Sequence, residues 1–262
     1  MDLFGNEISI TQTLADKYLM CPTTVLNTRD PKWKELKNKW NKLGIKSEVG
    51  RENIKKNNAN DFSRMQKYSE NKKGVTSYIS FNETNSTTSI FDPVICEIIY
   101  KWFAKCNVLD PFAGGSVRGI VANKLGFKYT GIELRQEQVE SNREQALNIL
   151  EVNNQPQWYL GDSEIILDEL IPKYDLLFSC PPYMDLEIYS DLENDLSNMN
   201  DENFTTKYES IIKKSCEKLI NGGYAVFVVG DLRDKKGYLK DFTGITKEAF
   251  KKCGMKLYNE LI

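Results

Sequence analysis

The pattern of apolar and polar positions changes at about residue 89. Beyond that point, short apolar runs alternate with segments in which apolar residues recur every three or four positions. The first pattern indicates buried strands, and the second indicates helices with one apolar face. Repeated strand–helix units predict an α/β fold, in which a mostly parallel sheet is covered by helices on both faces.

Five apolar runs are predicted to form the strands of this sheet. The last two, YDLLFSC and YAVFVVGD, are bounded by polar residues, which is typical of parallel strands covered on both faces. The predicted strands are Asn107–Asp110, Tyr129–Leu134, Trp158–Asp162, Tyr174–Cys180 and Tyr224–Asp231. The predicted helices are Val94–Phe103, Val117–Leu125, Gln136–Leu150, Asn203–Ile220, which ends at Asn221-Gly222-Gly223, and one near Phe242–Cys253. Ligands of such sheets bind beyond the carboxyl ends of the strands, so we expect the functional residues there.

A further helix is predicted in the N-terminal part of the chain. Asp30 is suited to cap its first turn, Pro31 to occupy its first position, and Gly44 to end it. One face of this helix is apolar, with Trp33, Leu36, Trp40 and Leu43. Residues 50–88 are polar and rich in Asn and Lys, which predicts a mobile surface segment. We therefore divide the chain into a basic, partly helical extension, 1–87, and a second domain, 88–262.

The net charge of −2 conceals two regions of opposite sign. Residues 1–80 carry 15 Lys and Arg against 9 Asp and Glu, whereas residues 81–262 carry 20 against 28. A basic segment beside an acidic domain is suited to a polyanion, of which nucleic acid is the commonest. A lysine-rich solvated surface explains the same charges without any partner.

Histidine, cysteine and the apolar segments narrow the functional classes further. The chain has no histidine, which excludes an imidazole base and argues against a transition-metal site. Its six cysteines lack CxxC spacing, as expected of reduced thiols in a cytoplasmic protein. It contains neither a secretion signal nor an apolar run of roughly 18 residues. We therefore expect a cytoplasmic protein with no membrane partner and no bound metal.

A glycine-containing turn follows the first predicted strand. Its small residues let the backbone approach a ligand closely, and Asp110 places a carboxylate at the strand tip. The next two strands end in acids: Glu133 is suited to accept both hydroxyls of a ribose, and Asp162 to accept from an adenine amino group. The candidate cofactor-binding residues at these strand ends are Asp110, Pro111, Phe112, Ala113, Gly114, Gly115, Ser116, Glu133, Asp162 and Ser163.

The run DPFAGGS, followed by GIEL about 20 residues later, resembles the first two motifs of S-adenosylmethionine (SAM)-dependent DNA amino-methyltransferases. The Asp-Pro-Phe opening and the absence of third-glycine spacing separate it from the NAD-binding turn. Upstream, the run TSIFDP with Ser89 and Phe91 resembles the motif that wraps the methionine end of SAM in one circular arrangement of the family. Simple helix capping is the alternative there. Arg118 either faces the carboxylate of the cofactor or is an exposed surface arginine. The resemblance implies a Rossmann-like SAM-dependent methyltransferase fold with SAM as the cofactor.

The fourth predicted strand ends in SCPPY. Amino-methylating enzymes of this family carry Asp, Asn or Ser, then two prolines and an aromatic residue, at this place. The resemblance implies that a side-chain oxygen and the first proline's carbonyl accept the two hydrogens of the target amine. The aromatic residue then stacks on a base flipped out of the duplex. The catalytic candidates are Ser179, Cys180, Pro181, Pro182 and Tyr183.

Cys180 departs from the family pattern, because a thiol is a weaker acceptor than a hydroxyl or amide oxygen. Either Cys180 accepts weakly, or Ser179 supplies the oxygen, or the chemistry differs. A thiolate can add to a pyrimidine ring and activate the neighbouring carbon, but the carbon-methylating family places its cysteine after the prolines. The acidic stretch after the motif is expected to be a lid, a contact for a partner protein or a solvated loop. Arg233 is a candidate contact for a phosphate or a base.

The order of motifs over residues 88–234, together with TTVLNTRDPKWKELKNKWNKLGIKSEVGR, resembles phage-type DNA methylases. This implies a site-specific DNA methyltransferase that modifies the exocyclic amino nitrogen of adenine or cytosine. The alternatives are methylation of RNA or of a pyrimidine ring carbon, or a catalytically weak protein that binds SAM or DNA. Such folds end in two antiparallel strands, whereas here only Lys256–Ile262 is predicted as one. We therefore expect either a truncated form, or a second copy or another subunit that completes the open sheet edge.

Overall fold

The computed structural model describes residues 19, 24–46, 55–56 and 91–262, apart from 172, 185 and 235. Ser89, predicted to bind the cofactor, lies outside the described residues. The segment 50–88, predicted to be mobile, also lies outside them, apart from residues 55–56. The division of the chain at residue 87 likewise falls in a stretch that is not described.

Five parallel strands form one sheet, which confirms the predicted α/β fold. They are β1 (Asn107–Asp110), β2 (Lys128–Glu133), β3 (Gln157–Leu160), β4 (Tyr174–Ser179) and β5 (Leu219–Phe227). Their spatial order is β3-β2-β1-β4-β5. After β1, the next two strands are added on one side of β1, and β4 and β5 are added on the other side. Such a reversal of strand order opens a crevice at the carboxyl ends of the two central strands.

Seven α-helices accompany the described strands. They are α1 (Pro31–Asn41), α2 (Pro93–Phe103), α3 (Val117–Lys124), α4 (Gln136–Ile149), α5 (Ser163–Glu169), α6 (Asp201–Glu217) and α7 (Phe242–Lys252). Six of them match predicted helices to within about three residues; α5 was not predicted. No helix among the described residues has both the length and the apolar character to cross a bilayer.

The two faces of the sheet have separate apolar cores. Successive side chains of a strand point to opposite faces. Val108 and Leu176 therefore pack with α2, α3 and α4, whereas Leu109 and Leu177 pack with α5, α6 and α7. Both neighbouring strands are thus covered on both sides, which explains why apolar residues follow one another directly in the two sequences.

Helix α1 packs into the first of these cores. Its indole side chains are buried, Trp33 at 1% exposure and Trp40 at 7%. Trp40 Nε1 donates to Glu97 Oε2 of α2 at 2.6 Å, and Trp33 Nε1 donates to Asp92 Oδ2 at 3.3 Å. The basic helix is therefore an integral part of the same folded unit as α2.

Two predictions about the last part of the sheet are wrong. Residues 221–223, predicted to end a helix, lie within β5, where the pairing of β5 with β4 shifts register between Tyr174 and Leu176. Residues 256–262, predicted to be a strand, form none. Instead, Tyr258 packs its ring against Phe103 and Tyr224, and Ile262 exchanges backbone hydrogen bonds with residues 24 and 26. Of the apolar residues of this segment, Leu261 packs against the first core, whereas Leu257, Tyr258 and Ile262 are exposed.

Candidate functional site

A cavity of about 450 Å³ opens at the carboxyl edge of the sheet, within the size range of small-molecule sites. The ends of β1 to β4 and the residues just before α2 contribute to its walls. The predicted site residues that line it are Phe91, Pro111, Phe112, Gly114, Gly115, Glu133, Asp162, Ser163, Cys180, Pro181, Pro182 and Tyr183. Asp110, Ala113, Ser116 and Ser179 are buried and do not line it. The structure thus brings together segments that are 90 residues apart in sequence.

Glu133 orients the glycine turn. Its Oε2 accepts a hydrogen bond from Gly114 N at 2.9 Å, and its Oε1 accepts one from Arg135 N at 3.0 Å. Its Oε1 also forms an ion pair with Arg135 Nε at 3.4 Å, so the turn and Arg135 together fix the position of this carboxylate. Gly131 allows the close approach of β2 to the turn: a Cβ there would lie 2.9 Å from the Ala113 Cβ. Gly131 was missed as a site-shaping residue because its requirement arises from packing between two segments.

The buried carboxylate of Asp110 stabilises the turn from its interior side. Its Oδ1 accepts from the Ser179 hydroxyl, and its Oδ2 accepts from the Tyr129 hydroxyl at 2.7 Å. The same carboxylate forms a buried ion pair with Arg118, whose guanidinium also donates to the carbonyls of Phe112 and Ala113. Asp110 therefore fixes the backbone of the turn and does not face the cavity.

Arg118 is buried, so the alternative of an exposed surface arginine is wrong. Its guanidinium lies 4.7 Å from the ring centroid of Phe91, and both residues line the cavity. This contact joins the segment before α2 to the glycine turn, as expected of two parts of one binding site.

Asp162 has partners that the sequence did not indicate. It caps α5 by accepting from Glu164 N at 3.0 Å, and its Oδ2 forms an ion pair with Lys207 of α6. Asn194 also donates to this oxygen, at 3.3 Å. Lys207 and Asn194 both line the cavity. In sequence, Lys207 is one of several lysines on an amphipathic helix, so no local signal distinguishes it.

The SCPPY motif divides between the core and the cavity. Ser179 is fully buried, and its hydroxyl donates to Asp110. Cys180 is half-buried and lines the cavity together with Pro181. Of the two proposed acceptors, Cys180 is therefore the one on the cavity wall.

Tyr183 is held in place by the strand and helix that follow it. Its hydroxyl donates to the Val228 carbonyl at 3.4 Å, and its ring packs edge-on against Phe242 at a centroid distance of 5.7 Å. Burial raises the pKa of Tyr183 well above its usual value, and the adjacent Cys180 thiol raises it further. Tyr183 is therefore a neutral phenol over the physiological pH range.

The acidic stretch after the motif covers part of the cavity. Glu187, Tyr189 and Leu196 line it, and Asp195 is buried, where it accepts from Ser190 Oγ at 2.6 Å and from Ser197 N at 2.9 Å. The expectation of a solvated loop is wrong for this part. Glu187–Ile188, in this acidic stretch, also pairs antiparallel with Lys55–Lys56 of the basic extension.

The chain was compared with family models, with curated proteins and with solved structures. No family model and no curated protein matches the chain. Similar solved structures include TrmN from Thermus thermophilus, with 17% identity over 52% of this chain and 38% of that chain, at a TM-score of 0.42. Magnesium protoporphyrin IX methyltransferase from Synechocystis, solved with bound SAM, is 14% identical over 64% of this chain and 70% of that chain, with a TM-score of 0.43. Precorrin-6y C5,15-methyltransferase from Geobacter metallireducens is 16% identical over 62% of this chain and 69% of that chain, with a TM-score of 0.43. All three TM-scores are below 0.5 and all three identities below 20%, so these similarities assign neither a family nor an activity to this chain.

Proposed function

We propose that this protein is a SAM-dependent methyltransferase that methylates the exocyclic amino nitrogen of adenine or cytosine in DNA. One observation carries the proposal: the glycine turn with Glu133 and the CPPY motif line the same cavity. The glycine turn and Glu133 are suited to a nucleoside cofactor, and the CPPY motif is suited to a planar amine.

The cavity residues fit SAM by their chemistry. The Glu133 carboxylate lines the cavity and would accept from the ribose hydroxyls, and the absence of side chains at Gly114 and Gly115, which also line it, allows a close approach. Phe91, backed by Arg118, would flank the cofactor from the side of α2. Asp162 and Ser163 would meet the adenine end, where an amino group would have to share Asp162 with Lys207.

When bound, SAM supplies a methyl group on a positively charged sulfur. The residues of this chain would then orient the acceptor amine. Cys180 Sγ and the Pro181 carbonyl would accept its two hydrogens and draw the nitrogen lone pair out of conjugation with the ring. Tyr183, a neutral phenol on a rigid Pro-Pro segment, would stack on the base. No imidazole base is required, because a nitrogen that has gained a methyl group gives up its proton readily to water.

Transfer of tritium from methyl-labelled SAM to purified DNA tests this function. We expect incorporation into DNA, little into RNA of the same sequence, and a large loss with Tyr183→Ala, which removes the stacking surface. The matched control is Tyr258→Ala, at a residue that is 74% exposed and lies outside the cavity. At saturating DNA its turnover should remain within about threefold of wild type, because it leaves the reacting groups unchanged. Label appearing only in RNA, or in neither polymer, would contradict the proposal.

A further inference from the structure

The chain that leaves β5 forms a small hairpin beside the CPPY motif. We call residues 232–234 and 236–240 the basic hairpin; residue 235, between them, is not described. Arg233 pairs with Leu239 in antiparallel fashion, and Lys240 N donates to the Leu232 carbonyl at 2.9 Å. Gly237, with a φ of +90°, closes the turn. The hairpin is therefore an ordered protrusion with a defined tip.

The base of the hairpin lies next to the proposed target-base site. Val228 lines the cavity and accepts from the Tyr183 hydroxyl, and a Cβ at Gly230 would lie 3.6 Å from the Tyr183 ring. Leu232 is buried in the same core as Tyr183 and Phe242. Lys240 forms an ion pair with Asp201 at the start of α6. Anchored at both ends, the hairpin stands at the edge where the cavity opens.

The tip of the hairpin combines cations with exposed apolar surface. Arg233 and Lys236 are exposed, Tyr238 is 71% exposed, and Leu239 is 52% exposed. The nearby carboxylates accept local hydrogen bonds: Asp234 from Lys236 N and Tyr238 N, and Asp231 from Thr243 N. Cations beside an exposed aromatic ring are suited to a nucleic-acid strand, since phosphates attract the former and bases stack on the latter.

The charge of the segment that follows the CPPY motif favours the same assignment. The segment that covers the cavity carries exposed Asp191 and Glu193, which repel phosphate. A strand that delivers its base to Tyr183 therefore meets favourable charge on the side of the hairpin.

We propose that the basic hairpin binds the DNA strand carrying the target base, with Arg233 and Lys236 on phosphates and Tyr238 stacked on a neighbouring base. This inference rests on the proposed function and names the surface that holds its substrate. It assigns the hairpin to DNA affinity, whereas Cys180 and Tyr183 are assigned to turnover.

The test is fluorescence anisotropy with a labelled DNA duplex of mixed sequence and with one of its single strands. In Arg233→Gln/Lys236→Gln, the dependence of log K on log salt for the duplex should flatten by roughly two units, at about 0.9 per phosphate contact. Tyr238→Ala should weaken single-strand binding about five- to a hundredfold, whereas Tyr238→Phe, which keeps the stacking face, should bind like wild type. The control, Lys124→Gln/Lys128→Gln, lies at the opposite edge of the sheet and should leave both measurements unchanged.

SAM affinity, measured by calorimetry, and melting temperature are measured for the same variants. They separate a loss of DNA binding from a loss of SAM binding or of stability. The hairpin variants should retain wild-type SAM affinity and stability, because their side chains are exposed and lie outside the cavity. Unchanged DNA affinity and salt slope in both hairpin variants would overturn the assignment, as would a wild-type protein that does not bind DNA or that prefers the corresponding RNA. Failure of SAM binding in the wild type would contradict the proposed function instead, without altering the anisotropy result.

Discussion

Gly114 N donates a hydrogen bond of 2.9 Å to Glu133 Oε2 and so joins the turn after β1 to the tip of β2. The carboxylate predicted to hold a ribose therefore also sets the shape of the turn that a cofactor would contact. A change at Glu133 acts on both features at once.

Replacing Glu133 by Ala should weaken SAM binding about ten- to a hundredfold. Charge-assisted hydrogen bonds to the ribose, worth roughly 1.5–3 kcal/mol, are lost, and the turn loses its anchor. Calorimetry measures the change. Glu137→Ala is the matched control, because Glu137 also contacts Arg135 but its side chain is 58% exposed and lies outside the cavity. If both variants bind SAM as tightly as wild type, Glu133 does not belong to the cofactor site.

Cys180→Ser distinguishes a hydrogen-bond acceptor from a nucleophile. Serine should preserve or raise the rate of methyl transfer if Cys180 accepts from the target amine, because a hydroxyl oxygen is the better acceptor. If the thiolate attacks a pyrimidine ring, serine should abolish turnover, and DNA with a 5-fluorinated cytosine should trap a covalent adduct. Gel electrophoresis under denaturing conditions detects such an adduct. Its formation with the wild-type protein would rule out amino methylation as the mechanism.

The contacts of α1 should contribute directly to the stability of the fold. Trp40→Phe leaves the Glu97 carboxylate without its indole donor and should lower the free energy of unfolding by about 1–3 kcal/mol. Trp40→Ala should lower it by about 3–5 kcal/mol, since it also creates a cavity. Leu43, in the turn just after α1 and 38% exposed, is the control, and Leu43→Ala should cost about 0.5 kcal/mol or less. Urea unfolding measures all three, and equal stability of the Trp40 variants and wild type would show that α1 is not part of the core.

The exposed lysines of α1 are expected to contact DNA as well. Lys37 is paired with Asp92 and Lys39 with Glu35, which leaves Lys32, Lys34 and Lys42 as the better candidates. Changing these three to Gln should flatten the salt dependence of DNA binding by roughly two units. The same change at Lys124, Lys128 and Lys173, at the amino edge of the sheet, should have no effect. An unaltered slope in the α1 variant would mean that these lysines only solvate the surface.

The sequence was sufficient to predict the sheet and most of its helices because their signals are local. Asp92 and Asp30 cap their helices through side-chain bonds to residues two positions on, as such residues do. The apolar runs of β4 and β5 indicated strands covered on both faces. Gly114, Glu133 and Cys180 were placed at one site because parallel strands end at one edge.

Other features depend on contacts between distant segments and could not be predicted. Nothing near Asp110 indicates that Arg118 and Ser179 would enclose it, so it was assigned to the cofactor instead of to the support of the turn. Lys207 reaches Asp162 only because α6 packs beside α5. The last residues were predicted to form a strand, whereas Tyr258 contacts the rings of Phe103 and Tyr224, which are distant in sequence.

Nucleoside mass spectrometry on DNA and RNA from cells that express the protein tests the central proposal most directly. A matched culture that expresses Tyr183→Ala controls for the methylation of the host. We predict N6-methyladenine or N4-methylcytosine in the DNA of the wild-type culture, above the level in the control culture. Methylation confined to RNA, 5-methylcytosine in place of the amino-methylated bases, or identical nucleoside profiles in the two cultures would contradict it.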